Sequence, residues 1–462
     1  MDSPSPKRLR SDSEAESADK DRISCLPEEV IGRILSRLTF REAQAICVLS
    51  GRWRHLCTSL VTDLDLDRLD LSEKMEDKPE LAEKERARYV EWVDNVVHRQ
   101  SGGDHALRRF ALRFDLNMSY KSRIDRWIRF ALAKQVKVLE LDFRPVSTED
   151  LLGGCLPYLL GHETLMDADV RCPHLGPSIS WHVGFTYLEE LYLKRVIVDG
   201  EFIEQLLANC PVLERLTLND ARTLNRLRVS GQSLKLKYMR IACCDDLEHV
   251  RIYDTNLVSF TFVGRQCLLR LNKLPQLSEV SMDGCLLKLV HEWLPKLSSL
   301  PFLQILKLEF IYSRRYHQRI PHQLPKLTSV KQLQLRVKGT GDLSLLPLTV
   351  VIEACPYLRS FVFELTDPWW IPNGEGRELE RVVRPLHRYL KEVAFYNYYG
   401  RPCDLELVTY LIASAIALEK LVVNTCDKEY VSGEWKKLKE PRERALQQLK
   451  GKVPLKIDLV IN

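Results

Sequence analysis

One short phrase recurs along this chain and limits what it can fold into: an apolar residue, two others, an apolar residue, one other, an apolar residue. It reads Leu107/Phe110/Leu112, then Leu188/Leu191/Leu193, Leu213/Leu216/Leu218, Leu236/Met239/Ile241, Leu257/Phe260/Phe262 and Leu277/Val280/Met282. It continues as Leu303/Leu306/Leu308, Val330/Leu333/Leu335, Leu358/Phe361/Phe363, Leu390/Val393/Phe395 and Leu418/Leu421/Val423. From Leu188 on, the copies return every 20 to 32 residues. One such unit cannot bury its own apolar side, but a stack of them builds a continuous core. The expected fold is therefore an α/β solenoid with one strand per repeat in a curved parallel sheet.

The return path differs between repeats. In a long one, Phe202, Ile203, Leu206 and Leu207 form the inner face of a helix that Asn209-Cys210-Pro211 stops. Glu353-Ala354-Cys355-Pro356 punctuates a later repeat in the same way. The shorter repeats carry a second, weaker phrase at Leu224/Leu227/Val229 and Leu247/Val250/Ile252, which predicts a strand on the outer side. This period and phrase are the signature of leucine-rich repeats.

Ahead of the repeats lies a different kind of sequence. Residues 1–20 are rich in Ser, Asp, Glu, Lys and Pro and read as a disordered tail. Pro6-Lys7-Arg8-Leu9-Arg10 is either a nuclear-import signal or a chance basic cluster. Pro27 then suits a first helical position, with Glu28 and Glu29 on the positive helix end. Val30, Ile31, Ile34, Leu35 and Leu38 follow at helical spacing. Thr39 and Glu42 form a capping-box pair for a second helix carrying Ala43, Ile46 and Leu49. Ser50 is placed to cap a third, with Trp53, Leu56 and Leu60 on one side. Three short helices in so few residues struggle to bury enough surface by themselves. A partner that covers the remainder is the simplest resolution.

Asp21-Arg22-Ile23-Ser24-Cys25-Leu26-Pro27-Glu28-Glu29-Val30, Ile34-Leu35-Ser36-Arg37-Leu38 and Val48-Leu49-Ser50-Gly51-Arg52-Trp53-Arg54-His55-Leu56 together resemble the F-box of plant F-box proteins. That resemblance implies docking to a Skp-type adaptor and, through it, to a cullin and a ubiquitin-conjugating enzyme. It assigns Leu26, Pro27, Ile31, Ile34, Leu35, Leu38, Val48, Leu49 and Trp53 to the module's core or its adaptor contact. Gly51 departs from the family, which usually has Lys or another long residue there. The bland reading of the same helices is a plain cap on the solenoid. Arg123 to Leu132 also resembles these proteins, while His387 to Val393 and Glu406 to Ile412 resemble their FBD segment. The implied organisation is a tail at 1–20, an F-box at 21–62, a charged linker and helix at 63–104, repeats at 105–380, and an FBD-like segment at 381–462 that ends the array. Within the linker, the alternating charges from Ser72 to Arg88 suit a solvated helix of ion pairs or a tether.

Composition narrows the chemistry. The 462 residues are 45% hydrophobic and 28% charged, with a net charge of only +5, so nucleic-acid binding is not demanded. No apolar run reaches the length of a membrane span, and the start lacks the pattern of a signal peptide, which points to the nucleus or cytoplasm. The 13 cysteines then read as reduced thiols, mostly core residues. Cys155, His162, Cys172 and His174 fit no common zinc spacing, so neither metal nor cofactor is expected. There is no HExxH, GxSxG or GxxxxGK, the histidines are scattered, and no cysteine is marked as a nucleophile. The chain reads as a non-catalytic receptor subunit.

Two loops stand out as candidate target or anion contacts. Arg314, Arg315, Tyr316 and Arg319 could grip phosphate or an acidic peptide, or form a solvated loop between repeats. Trp369 and Trp370 could be a binding hot spot, or fold back over the core. Three functions compete: a substrate receptor of a Skp–cullin–F-box ligase, a repeat scaffold or small-molecule sensor that binds the adaptor without delivering a target, and a nucleic-acid-binding repeat protein. Repeat folds do not by themselves choose among them.

Overall fold

The structure, a computed structural model, describes residues 26–47, 50–71, 75, 78–102, 105–143, 185–264, 267–312, 320–339, 343–366, 386–425 and 441–462. Three short helices come first: α1 (Glu28–Leu35), α2 (Phe40–Ile46) and α3 (Gly51–Leu60). The chain then enters a parallel sheet that runs through the rest of the described residues. Its first strands are β1 (Asp63–Asp67), β2 (Arg109–Arg113), β3 (Val138–Asp142), β4 (Glu190–Lys194) and β5 (Arg215–Asn219). Next come β7 (Tyr238–Ala242), β9 (Ser259–Val263), β11 (Glu279–Gly284) and β12 (Ile305–Tyr312). β13 (Gln332–Gly339), β14 (Ser360–Leu365), β15 (Glu392–Tyr398), β16 (Lys420–Thr425) and β17 (Asp458–Ile461) complete it. These 14 strands lie side by side in chain order, each parallel to the last.

Each of the eleven copies of the phrase maps onto one strand and the residues before it. Its second and third apolar positions face inward and are shielded from water, as with Leu216, Leu218, Phe260, Leu333 and Phe361. Each such residue contributes roughly 1.5–3 kcal/mol by leaving water. The alternate residues form the exposed face of the sheet. The residue after a strand often has a left-handed backbone, including Arg195, Asp220, Cys243 and Asp254, which turns the chain away from the sheet.

Three strands lie outside the sequence reading. β1 and β3 carry the same phrase, as Val61/Leu64/Leu66 and Val136/Leu139/Leu141, and β17 closes the far end. The array therefore begins at Asp63, within the segment read as a linker. That segment supplies β1 and the helix α4 (Ala82–Ser101). On α4, Arg86 is not solvated but buried, paired with Asp115 at 2.6 Å. The 386–462 region adds β15, β16 and β17 to the same sheet, with helices α7 (Pro402–Ser414) and α8 (Pro441–Leu449) packed behind it.

The return paths differ between longer and shorter repeats as expected. Helices α5 (Lys121–Ala133) and α6 (Gly200–Asn209) back the longer repeats, and α6 buries the four predicted residues Phe202, Ile203, Leu206 and Leu207. The shorter repeats build a second parallel sheet from β6 (Arg226–Ser230), β8 (His249–Tyr253) and β10 (Leu268–Asn272). The third of these strands was not read from sequence. Helix α6 abuts this outer sheet so closely that a Cβ on Gly200 would lie 2.0 Å from the Arg226 carbonyl oxygen. Glycine is required there by space.

Candidate functional site

The head owes its shape to local chemistry. The Thr39 hydroxyl accepts from the Glu42 backbone N–H, and the Glu42 carboxylate accepts from the Thr39 backbone N–H at 2.8 Å, so α2 starts with a full capping box. That backbone donor, helped by the Thr39 hydroxyl, holds the Glu42 carboxyl below its usual range. Ser50 Oγ accepts from the Trp53 N–H and fixes the start of α3. Arg52 donates to the Leu26 carbonyl at 2.8 Å, tying α3 to the entry of α1. Gly51 has nothing within 4 Å of a Cβ built on it, so the longer residue usual in the family would fit without strain.

The seven described F-box candidates divide into two sets. Ile31, Leu35 and Trp53 are buried and pack with Ala43, Leu56 and Cys57 into a small core. They hold the module together and cannot touch a partner directly. Leu26, Ile34 and Leu38 are only partly covered, and Pro27 is exposed. Val30, which the adaptor assignment omitted, is 40% exposed. Val30 and Ile34 lie one turn apart on α1, and Leu26 and Leu38 flank its two ends and pack against the small core. The omission of Val30 has a clear cause: periodicity shows that a position belongs to an apolar set but not which side of the set is outermost. Val48 and Leu49 lie outside the described residues.

Cys47 and Cys57, read as thiols, are instead joined as a disulfide that links the end of α2 to α3, with Cα atoms 6.3 Å apart. Ten residues of sequence separate them, and only the crossing of the two helices brings them together. The other cysteine readings fare differently. Cys210 and Cys355 are buried at helix ends, and burial pushes each thiol up to about 12. A thiol held protonated in this way is a poor nucleophile.

The head also seats itself on the solenoid. Phe40 belongs to the main core and lies 6.4 Å, ring to ring, from Trp92 of α4. The Trp92 indole donates to Gln44 Oε1 at 3.1 Å. One side of the head thus covers the end of the repeat core, and Val30 and Ile34 of α1 are left incompletely covered.

On the inner sheet, charged side chains stand between the strands in paired rows. Glu140 receives Arg109, Arg113 and Lys194. Burial opposes its ionisation, yet these cations, Arg113 foremost, bring its carboxyl down to about 2. Farther along, Arg336 bridges Glu309 and Glu364. The candidate target contacts Arg314, Arg315, Tyr316, Arg319, Trp369 and Trp370 lie outside the described residues, as do the tail and Cys155, His162, Cys172 and His174. Their points of departure are described: β12 ends at Tyr312 and β14 at Leu365. Both leave the same rim of the sheet, with β13 alone between them.

Comparison with known proteins agrees with this geometry. Residues 97–449 match the At1g61320/AtMIF1 LRR domain, and residues 23–64 match the F-box domain. An F-box/FBD/LRR-repeat protein of Arabidopsis thaliana is 26% identical over 87% of this chain and 89% of its own length. An FBD-associated F-box protein of the same plant is 27% identical over 96% of this chain and 98% of its own. A third Arabidopsis relative, an F-box protein, is 31% identical over 46% of this chain, and that match spans 43% of the relative. Proteins of this kind are in general non-catalytic, adaptor-type components, and the F-box is in general a Skp-binding module. This chain belongs to the F-box/leucine-rich-repeat proteins.

Proposed function

We propose that the protein is the substrate-recognition subunit of a Skp–cullin–F-box ubiquitin ligase. The observation that carries this reading is the apolar stripe formed by α1 and the residues at its two ends. Leu26, Val30, Ile34 and Leu38 line a surface beside the head's small core, although that core and the seat on α4 already use the other sides of the bundle. A Skp-type adaptor covers the stripe and links the chain to a cullin. The repeats hold the target, and Arg314, Arg315, Tyr316, Arg319, Trp369 and Trp370 are its candidate contacts. Catalysis belongs to the partners, and this chain supplies proximity by raising the local concentration of the target. The complex works in the nucleus, the cytoplasm or both.

Size-exclusion co-elution of the full chain with a Skp-type adaptor tests the docking. Wild type is expected to co-elute, and Ile34→Asp or Val30→Asp to abolish it, because a carboxylate buried without a partner costs several kcal/mol. Survival of the complex in both variants would refute the assigned surface. The alternative, a scaffold or sensor that binds the adaptor without delivering a target, parts from this reading in cells. A receptor's target accumulates when the protein is removed, and a scaffold leaves no protein stabilised.

A further inference from the structure

The outer sheet carries a block of positive charge that the ligase reading does not use. Its register sets Arg226, His249 and Leu268 in one row across β6, β8 and β10. Arg228, Arg251 and Arg270 form the next row, and Ser230, Tyr253 and Asn272 the third. The intervening Leu227, Val229, Val250, Ile252, Leu269 and Leu271 are buried, so the rows face outward. All four arginines are exposed. Among the described residues no carboxylate pairs with any of the four. The Arg228 guanidinium lies 5.3 Å from the Tyr253 ring and donates to its hydroxyl.

Strand spacing places the Cα atoms of the three central arginines within about 10 Å. Like charges facing one another across strands are unfavourable, and arginine cannot shed its proton to relieve them. A depression of 320 Å³ beside the row is lined by Glu204, Arg226, Arg228, His249 and Arg251. The platform is firm: its inner side is core, and α6 is locked against β6 at Gly200.

We propose that this face docks an acidic segment of a partner protein, with two or more carboxylates on one side of an extended peptide. Side chains on one side of an extended strand recur about every 6.6–7 Å, so two or three of them span the arginine row. Exposed Leu268 and the Tyr253 ring stand beside it to meet an apolar neighbour. Exposed Glu204 on α6 lines the depression beside the row and exposed Glu248 lies just before β8, so the positive area is short. A long polyanion such as a nucleic acid would run past the row into like charge, whereas a short acidic segment ends within it. The ligand surface lies on a different sheet from the adaptor stripe, and the inference does not rest on the ligase reading.

Fluorescence polarisation with the full chain and three labelled probes tests it: a peptide of alternating Asp and Thr, the same peptide with Lys for Asp, and a single-stranded oligonucleotide of similar length. At low salt the acidic peptide is expected to bind and the lysine peptide not. The triple variant R228Q/R251Q/R270Q is expected to weaken binding at least roughly tenfold, and R359Q, on another exposed part of the chain, to leave it unchanged. Thermal melts establish that the triple variant is folded, and R251Q alone, expected to weaken binding roughly threefold, serves if it is not. Peptide affinity that ignores these substitutions would overturn the proposal. So would an oligonucleotide that binds more tightly through the same arginines, which would make the face a nucleic-acid surface. No adaptor is present, so neither result bears on the head.

Discussion

The two sheets of this molecule stack the same kind of strand at the same spacing, yet they handle charge in opposite ways. In a parallel solenoid, equivalent positions of successive repeats become neighbours about 4.8 Å apart. The inner sheet answers by alternating sign: Asp67, Arg113, Asp142 and Lys194 are consecutive partners across β1 to β4. Glu309, Arg336 and Glu364 repeat the arrangement across β12 to β14. The outer sheet places Arg228, Arg251 and Arg270 in register with no acid between. A row of alternating charge stabilises its own sheet, whereas a row of one sign stores repulsion that only a ligand or salt can relieve.

Removing the acid beside that row, on which three inner cations converge, should have the largest consequence. Glu140→Gln leaves Arg109, Arg113 and Lys194 around a neutral amide. The wild-type carboxyl ionises at about 2 in the fold against 4.5 when free, so its stabilisation is complete above 4.5 and is lost as pH falls towards 2. Denaturant melts at pH 7 should show a deficit of about 3 kcal/mol, falling to less than half of that at about pH 3. A deficit that stays constant with pH would mean that the amide disturbs packing and that charge is not the cause.

This contrast also marks what the sequence could and could not tell. The phrase fixed eleven strands of the inner sheet because a period-two apolar pattern has one buried side whatever surrounds it. It was equally present around Leu64 and Leu139, but the Asp-Leu-Asp-Leu-Asp run of β1 reads as charged linker until a neighbouring strand supplies Arg109 and Arg113. The outer strands at Leu227 and Val250 were legible, and β10 was not, since Leu269 and Leu271 have Gln266 where the first apolar residue of a full phrase would stand. The arginine rows were invisible because register, not spacing, makes Arg228, Arg251 and Arg270 neighbours. In the head, spacing and capping residues gave the helices and the apolar set. Which members faced outward depended on how α3 and α4 cover the others, and the Cys47–Cys57 link depended on a helix crossing.

One inner position departs from alternation and offers a sharper test. Asp283 of β11 is the register partner of Glu309, acid against acid. Burial, and then Glu309, raises its carboxyl to about 6 from 3.8. The folded form therefore holds a proton that the unfolded chain releases, and stability falls as pH rises through 4 to 6. Asp283→Asn should gain about 2 kcal/mol at pH 7.5 and nothing below about pH 4, read by parallel melts. An equal gain at both pH values would remove charge from the explanation.

The outer row should respond least, and in the opposite sense from Glu140. Arg251 stands between Arg228 and Arg270, so Arg251→Gln removes two like-charge contacts and no ion pair. The groups are exposed and surrounded by water, so the gain is expected to be about 0.5 kcal/mol at low salt. At about 1 M salt the screening length falls to about 3 Å, shorter than the spacing of the row, and wild type and variant should unfold together. Adding the acidic peptide should reverse the order, stabilising wild type more than the variant, because a ligand protects the fold in proportion to its affinity. A loss of stability at low salt without peptide would show that Arg251 has a partner that holds it, and the two sheets would then follow one rule.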